Sequence, residues 1–236
     1  MKLNGHELVY FGHSAFLIKN KDGINTLIDP WISNPSNKRR LEEYVDNVDY
    51  ILITHGHGDH IGDAEEIGKR YSAEVIAMFE VTNYLRSKGL EKLTGMNIGG
   101  TLKKENISFT MVEAAHSSTI HDGEKTFPGG SAAGFVISME DGFTLYHMGD
   151  TGLFGGLKMI TELYHPDLIM IPIGGHYTMG PREAAYAISV LNPKMIIPMH
   201  YRTFPVIDVS VEEFIKSLDL KIRERVIPLS PGEILR

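Results

Sequence analysis

Thr54-His55-Gly56-His57-Gly58-Asp59-His60 sets three imidazoles and one carboxylate directly behind an apolar run, Tyr50-Ile-Leu-Ile. A compact run of that kind reads as a buried strand. In extended chain, residues two apart point the same way, so His55 and His57 can present their rings to one cation. Gly56 and Gly58 lack Cβ and let the backbone turn tightly. That turn lets Asp59 and His60, leading into the next helix, face a second position. Asp59 is also a good helix N-cap, but capping gives no reason for three imidazoles.

Four donors are too few for two neighbouring ions, which need more ligands and ideally a shared carboxylate. The rest of the chain offers them in equivalent places. His116 follows Val112-Glu-Ala-Ala, Asp150 follows Leu145-Tyr-His-Met-Gly, and His200 follows Ile196-Ile-Pro-Met. Each stands where an apolar run enters a loop, the usual meeting place of ligands.

Around these points the pattern alternates. Strands are expected at Leu8–Tyr10, Ala15–Ile18 and Thr26–Ile28, with Gly12 and Lys21-Asp22-Gly23 as turns. A helix follows from Ile61 to Tyr71, acidic at its start and basic at its end. Strand Glu74–Met78 and helix Val81–Lys88 come next, with Gly89 as the stop. Strands Ile107–Val112, Ala133–Met139 and Thr144–His147 fill the middle, and Asp141-Gly142 turns the last pair. Strands Leu168–Ile173 and Met195–Pro198 flank helix Pro181–Leu191, which carries proline in its first turn. Helix Val211–Leu218 and a strand near Arg225–Leu229 close the chain. This is an α/β pattern of sheets covered by helices. No repeat, low-complexity tract or proline-rich linker marks a boundary, so one domain over residues 1–236 is expected.

His-x-His-x-Asp-His at 55–60, Ala115-His-Ser117, Met148-Gly-Asp-Thr151 and Pro198-Met-His-Tyr201 together resemble the metallo-β-lactamase superfamily. The likeness is to its metal-dependent hydrolase branch, related to ascorbate-6-phosphate lactonase-like proteins and N-acylphosphatidylethanolamine phospholipase D. Gly12-His-Ser-Ala15 and Pro172-Ile-Gly-Gly-His-Tyr-Thr-Met179 match that branch too. The resemblance implies a four-layer αββα sandwich, two mixed sheets with outer helices. It also implies a binuclear centre: His55, His57 and His116 on one ion, Asp59, His60 and His200 on the other, and Asp150 bridging. Arg202 stands where relatives often carry glycine.

Imidazole and carboxylate donors without thiolate suit zinc, manganese or iron. Zinc is the default, since it takes nitrogen ligands and keeps an open catalytic position. A water bound there ionises near pH 7, and the resulting hydroxide attacks a carbonyl or phosphorus centre of an ester-type bond (phosphodiester, lactone or amide) in a small molecule. Asp59 is the candidate to orient that water and take its proton. His176, after a Gly-Gly pair at a strand end, is the second candidate catalytic residue, orienting a ligand or protonating a leaving group. His13 has the same two readings, set against a structural one. His147 reads as structural; His6, His121 and His165 read as surface residues. Lys125–Ala133 is a glycine-rich loop without a phosphate-binding pattern, and Phe127 and Met179 are candidate apolar pocket residues.

The 236 residues carry a net charge of −7, which argues against gripping a long nucleic acid backbone. Lys38-Arg39-Arg40 is a short basic run of the kind that is usually solvated. There is no cysteine, hence no disulfide and no thiolate ligand. The first residues lack the apolar core of a signal peptide and no apolar run is long enough to span a bilayer, so a cytoplasmic protein is expected. A homo-oligomer is compatible with the sequence. Two other functions use the same ligands: an iron-dependent redox enzyme of the same fold, and a non-catalytic metal-binding protein. Against the first, diiron reductases of this fold typically carry glutamate where His57 stands. A nuclease of the superfamily usually needs an extra domain.

Overall fold

The computed structural model describes residues 3–236. Contacts within the chain gather into two compact units. The first holds the described residues through Ile98 with Ser117–Ala132 and Ser230–Arg236; the second holds Gly99–His116 and Ala133–Leu229.

The first unit is built on a seven-stranded mixed sheet. Its strands run in the order Ile234–Leu235, Glu7–Tyr10, Phe16–Lys19, Asn25–Ile28, Tyr50–Ile53, Glu74–Met78 and Leu93–Met96. Pairing is antiparallel as far as Asn25–Ile28 and parallel beyond it. Strands of a parallel sheet are covered on both faces and read as continuous apolar runs. Accordingly Leu27, Ile28, Ile51, Leu52, Ile53, Val75 and Ile76 are wholly buried. Ile28 lies opposite Leu52, so Asp29 and Thr54 leave the sheet at neighbouring carboxyl ends.

The helix expected from Ile61 to Tyr71 is two helices, Gly58–Ile61 and Ala64–Tyr71. Gly62 separates them at φ 47°, ψ −126°, a region open only to glycine. A Cβ at Gly62 would stand 2.6 Å from the Trp31 Cα and 2.8 Å from the Pro30 carbonyl oxygen, and backbone cannot yield as a side chain does. Gly62→Ala is therefore expected to destabilise the metal-free protein by roughly 2 kcal/mol or more, read as a lower denaturant midpoint. An unchanged midpoint would contradict the strained turn.

A two-stranded hairpin, Thr119–Asp122 with Lys125–Pro128, completes the first unit. The sequence reading left Lys125–Pro128 in a loop. It pairs as a strand because Phe127 and Ile120 face each other across the hairpin, and Phe127 also meets Tyr84 at a ring separation of 5.4 Å.

The second unit carries a six-stranded mixed sheet in the order Met195–Met199, Leu168–Pro172, Thr144–His147, Ala133–Met139, Ile107–Glu113 and Thr101–Lys104. The first three strands are parallel and the others antiparallel. Asp141-Gly142 makes the expected hairpin, with Gly142 at φ 86°. Helices Gly156–Tyr164, Pro181–Leu191 and Val211–Ser217 bury Leu157, Ala184, Ile188 and Phe214 against Tyr146, Ile169, Ile171 and Ile196 of the sheet. The strand expected near Arg225–Leu229 is a single bridge from Val226 to Ile196, and the closing strand of the chain is Ile234–Leu235. Among the described residues no helix is long and apolar enough to cross a membrane.

Candidate metal centre

Each unit carries a histidine and aspartate cluster at the carboxyl ends of its parallel strands, where α/β sheets hold their ligands. In the first unit the organiser is Asp29, wholly buried at φ 44° just past the Asn25–Ile28 strand. Its Oδ1 accepts from the Thr54 backbone N–H at 2.8 Å, and its Oδ2 accepts from the Thr54 hydroxyl at 2.8 Å. The same Oδ2 lies 2.7 Å from His60 Nδ1. A carboxylate only accepts, so His60 carries its proton on Nδ1 and its lone pair on Nε2.

The polarity propagates. Because the Thr54 hydroxyl gives its proton to Asp29, it accepts from His55 Nδ1 at 3.0 Å, which leaves the His55 lone pair on Nε2. That atom stands 3.0 Å from His57 Nδ1. The other nitrogen of His57, Nε2, is 3.3 Å from the Ser117 hydroxyl. With its proton on Nδ1, His57 donates to His55 and its Nε2 accepts from Ser117; with the proton on Nε2, it turns a second lone pair toward that of His55. Two lone pairs at this separation repel unless a cation lies between them. Donors on one tetrahedral zinc sit roughly 3.3 Å apart, so the donor chemistry fits a metal ion. Imidazoles whose far nitrogen is held by an oxygen are the usual metal-binding kind.

Asp59 does not cap a helix, as the sequence allowed. His57 is the N-cap of Gly58–Ile61, without a side-chain cap bond. The Asp59 carboxylate is committed elsewhere: its Oδ2 accepts from His13 Nε2 at 3.0 Å. His13 is buried at φ 54°, packed edge-on against Trp31 at 5.2 Å. One ligand-type atom each from His13, Asp59 and His60 lies within 4.8 Å of the others. Ser118 holds the motif turn from below, accepting from Gly56 N–H at 2.9 Å and donating to the Gly129 carbonyl at 3.0 Å.

In the second unit Asp150 is the hub. Its Oδ2 lies 2.9 Å from His200 Nε2 and 3.6 Å from His116 Nε2. Asp150 and His200 are buried and His116 is half-buried. The loops bearing His116 and Asp150 are tied twice: Ala115 N–H donates to the Thr151 hydroxyl at 3.0 Å, and Gly152 N–H to the Ala115 carbonyl at 3.0 Å. His200 sits at φ 56° at the end of its strand. Its neighbour Tyr201 is half-buried, and that burial raises its hydroxyl above the ordinary tyrosine range.

The other candidates separate cleanly. His176 is exposed at φ 34°, on a loop of the second unit. Arg202 lies 3.9 Å from Asp208 and 4.0 Å from Glu212, an exposed ion-pair setting. Met179 is buried in the core of its unit, whereas Phe127 is half-buried on the hairpin. His147 is buried and accepts from Gly149 N–H at 3.2 Å. His121 and His165 are exposed as expected. His6 is not: it is buried because its Nδ1 accepts from Lys21 N–H at 3.1 Å. Sequence reasoning missed Asp29 and Thr54. The one available signal was an aspartate at the end of Thr26-Leu-Ile, the same strand-end position that revealed Asp150.

A family model described as a beta-lactamase superfamily domain matches residues 7–200. The chain is 45% identical over 231 residues to a UPF0173 metal-dependent hydrolase of Methanosarcina mazei, covering 98% of both proteins. It is 46% identical over 230 residues to one from Methanosarcina barkeri, covering 97% of both. Among solved structures, a metallo hydrolase from the hyperthermophilic archaeon Ignicoccus hospitalis is similar at a TM-score of 0.87 and 40% identity, over 98% of this chain and 97% of that one.

Proposed function

From its membership of the beta-lactamase superfamily, and within it of the UPF0173 metal-dependent hydrolases, which the chain shares with these relatives, we propose that it cleaves an ester-type bond of a small molecule with two divalent cations, zinc by default. Candidate bonds are a phosphodiester, a lactone or an amide. His55, His57 and His116 are the proposed ligands of one ion, Asp59, His60 and His200 of the other, with Asp150 shared. The observation that carries this reading is the chain Asp29, Thr54, His55, whose polarity turns a His55 lone pair onto His57 at 3.0 Å.

When bound, such ions supply Lewis acidity that lets a water molecule lose a proton near pH 7. The side chains do the rest. His13 holds the Asp59 carboxylate at 3.0 Å, so Asp59 can orient that water and take up its proton. His176, an exposed imidazole, is proposed to protonate the leaving group. The fold hosts many reactions, so the bond cleaved follows from substrate contacts and not from the ligands.

A panel of phosphodiester, lactone and amide substrates, run with protein of measured metal content, tests the proposal. Turnover of at least one class that tracks metal content and disappears with chelator is the expected result. Metal-loaded protein that turns over none of them would overturn it.

A further inference from the structure

The loop Ile173–Gly180 lies on the second unit's ligand-bearing edge; Ile173 and Met179 anchor it in the core, while His176 and Tyr177 at its tip join neither that core nor the proposed ligand set. His147, Met170 and Ile197 lie level across three parallel strands. Asp150, Ile173 and His200 each come three residues later, so this loop leaves the sheet between the Asp150 and His200 loops. It is tied to both. Ile173 N–H donates to the Met199 carbonyl at 3.0 Å, and Met179 N–H donates to the Thr151 carbonyl at 3.0 Å. Gly174 packs so closely on the His200 carbonyl that a Cβ would come within 2.1 Å of its oxygen. The tip is closed by Gly175 N–H on the Met179 carbonyl at 3.0 Å and by Thr178 N–H on the Gly175 carbonyl at 2.8 Å.

A tip fixed this firmly carries its two most exposed rings side by side. His176 adopts φ 34°, a conformation a bulky residue takes only when its surroundings impose it. Its ring meets that of Tyr177 edge to face, centroids 4.5 Å apart and planes at 90°. Tyr177 is 53% exposed and takes no part in the core of its unit. Strained backbone and a solvent-facing aromatic ring both cost stability, and such devices gather where a ligand is gripped.

We propose that Tyr177 is a specificity-determining residue that stacks on a flat aromatic leaving group, with His176 as the ring that positions it. This rests on the hydrolase reading above, and places the aromatic ring beside the imidazole proposed to protonate that group. The preferred substrates are then aryl esters of a carboxylic or phosphorus acid, over alkyl esters of the same acid.

Calorimetric titration of zinc-loaded protein with phenyl methylphosphonate and with ethyl methylphosphonate tests it without relying on turnover. The wild type is expected to bind the phenyl compound about two- to tenfold more tightly, the range of one aromatic contact. Tyr177→Ala should abolish that preference and Tyr177→Phe should retain it, with metal content equal in all three. Equal affinity for the two probes in the wild type, binding of neither, or a preference that survives Tyr177→Ala would each overturn the proposal. A phenyl preference in protein that turns over none of the substrate panel would sink the hydrolase reading and leave the stacking role standing.

Discussion

His57→Ala and Asp150→Ala are each expected to lose bound metal and hydrolytic activity while the chain stays folded. The two residues lie in different units. His57 is half-buried, and its ring meets His55 and Ser117. Removing it costs the metal-free protein a part-buried hydrogen bond to His55 at 3.0 Å, a loss too small to unfold the chain. Asp150 carries the carboxylate oxygen beside both His116 and His200 in its unit. Its loss leaves two imidazoles with no shared anion between them. Loss of a partner outside the ligand set typically costs 10- to 100-fold in affinity or activity, and loss of a ligand should exceed that. Metal analysis beside circular dichroism reads both halves of the prediction. Full metal content in Asp150→Ala would count against the bridging role, and an unfolded His57→Ala would count against its having no structural part.

Asp29→Asn is expected to have nearly as large an effect on metal binding without touching a ligand. Asparagine matches aspartate in shape and tolerates the left-handed backbone at φ 44°. What changes is polarity. The carboxylate accepts from Thr54 N–H, the Thr54 hydroxyl and His60 Nδ1. An amide can accept on one side only and must donate on the other. The Thr54 hydroxyl is then turned toward His55 Nδ1, and His60 is pushed to the opposite tautomer. Protons come to rest on the nitrogens proposed to face the cations. Zinc affinity should fall about 10- to 100-fold, with the unfolding midpoint of metal-free protein little changed. Asp29→Ala is the destabilising contrast, because it strands three donors in a dry site at about 1–3 kcal/mol for a typical buried group. Equal zinc affinity in Asp29→Asn and wild type would show that the hydrogen-bond chain does not set the tautomers.

The motif residues were legible because three imidazoles and a carboxylate in six positions have few other uses, and because the buried run before them fixed a strand end. The same logic found His116, Asp150 and His200. It passed over Asp29, which stands alone in sequence and gains its meaning only when Ile28 pairs beside Leu52 in the sheet. The break at Gly62 was hidden because the apolar spacing continues through it, and only the approach of Trp31 forbids a side chain there. Helix Gly156–Tyr164 was missed for another reason. It leaves Met159 and Leu163 exposed while burying Leu157 and Thr161, so its apolar residues do not mark one inward face. His6 looked like a surface residue because its partner, Lys21 N–H, comes from the neighbouring strand connection.

Metal content of the wild-type protein, measured after loading and exhaustive dialysis, bears most directly on the account. Two divalent ions retained per chain, falling by at least one in His57→Ala, is the result it predicts. A wild-type chain that retains no transition ion after such loading would contradict it outright.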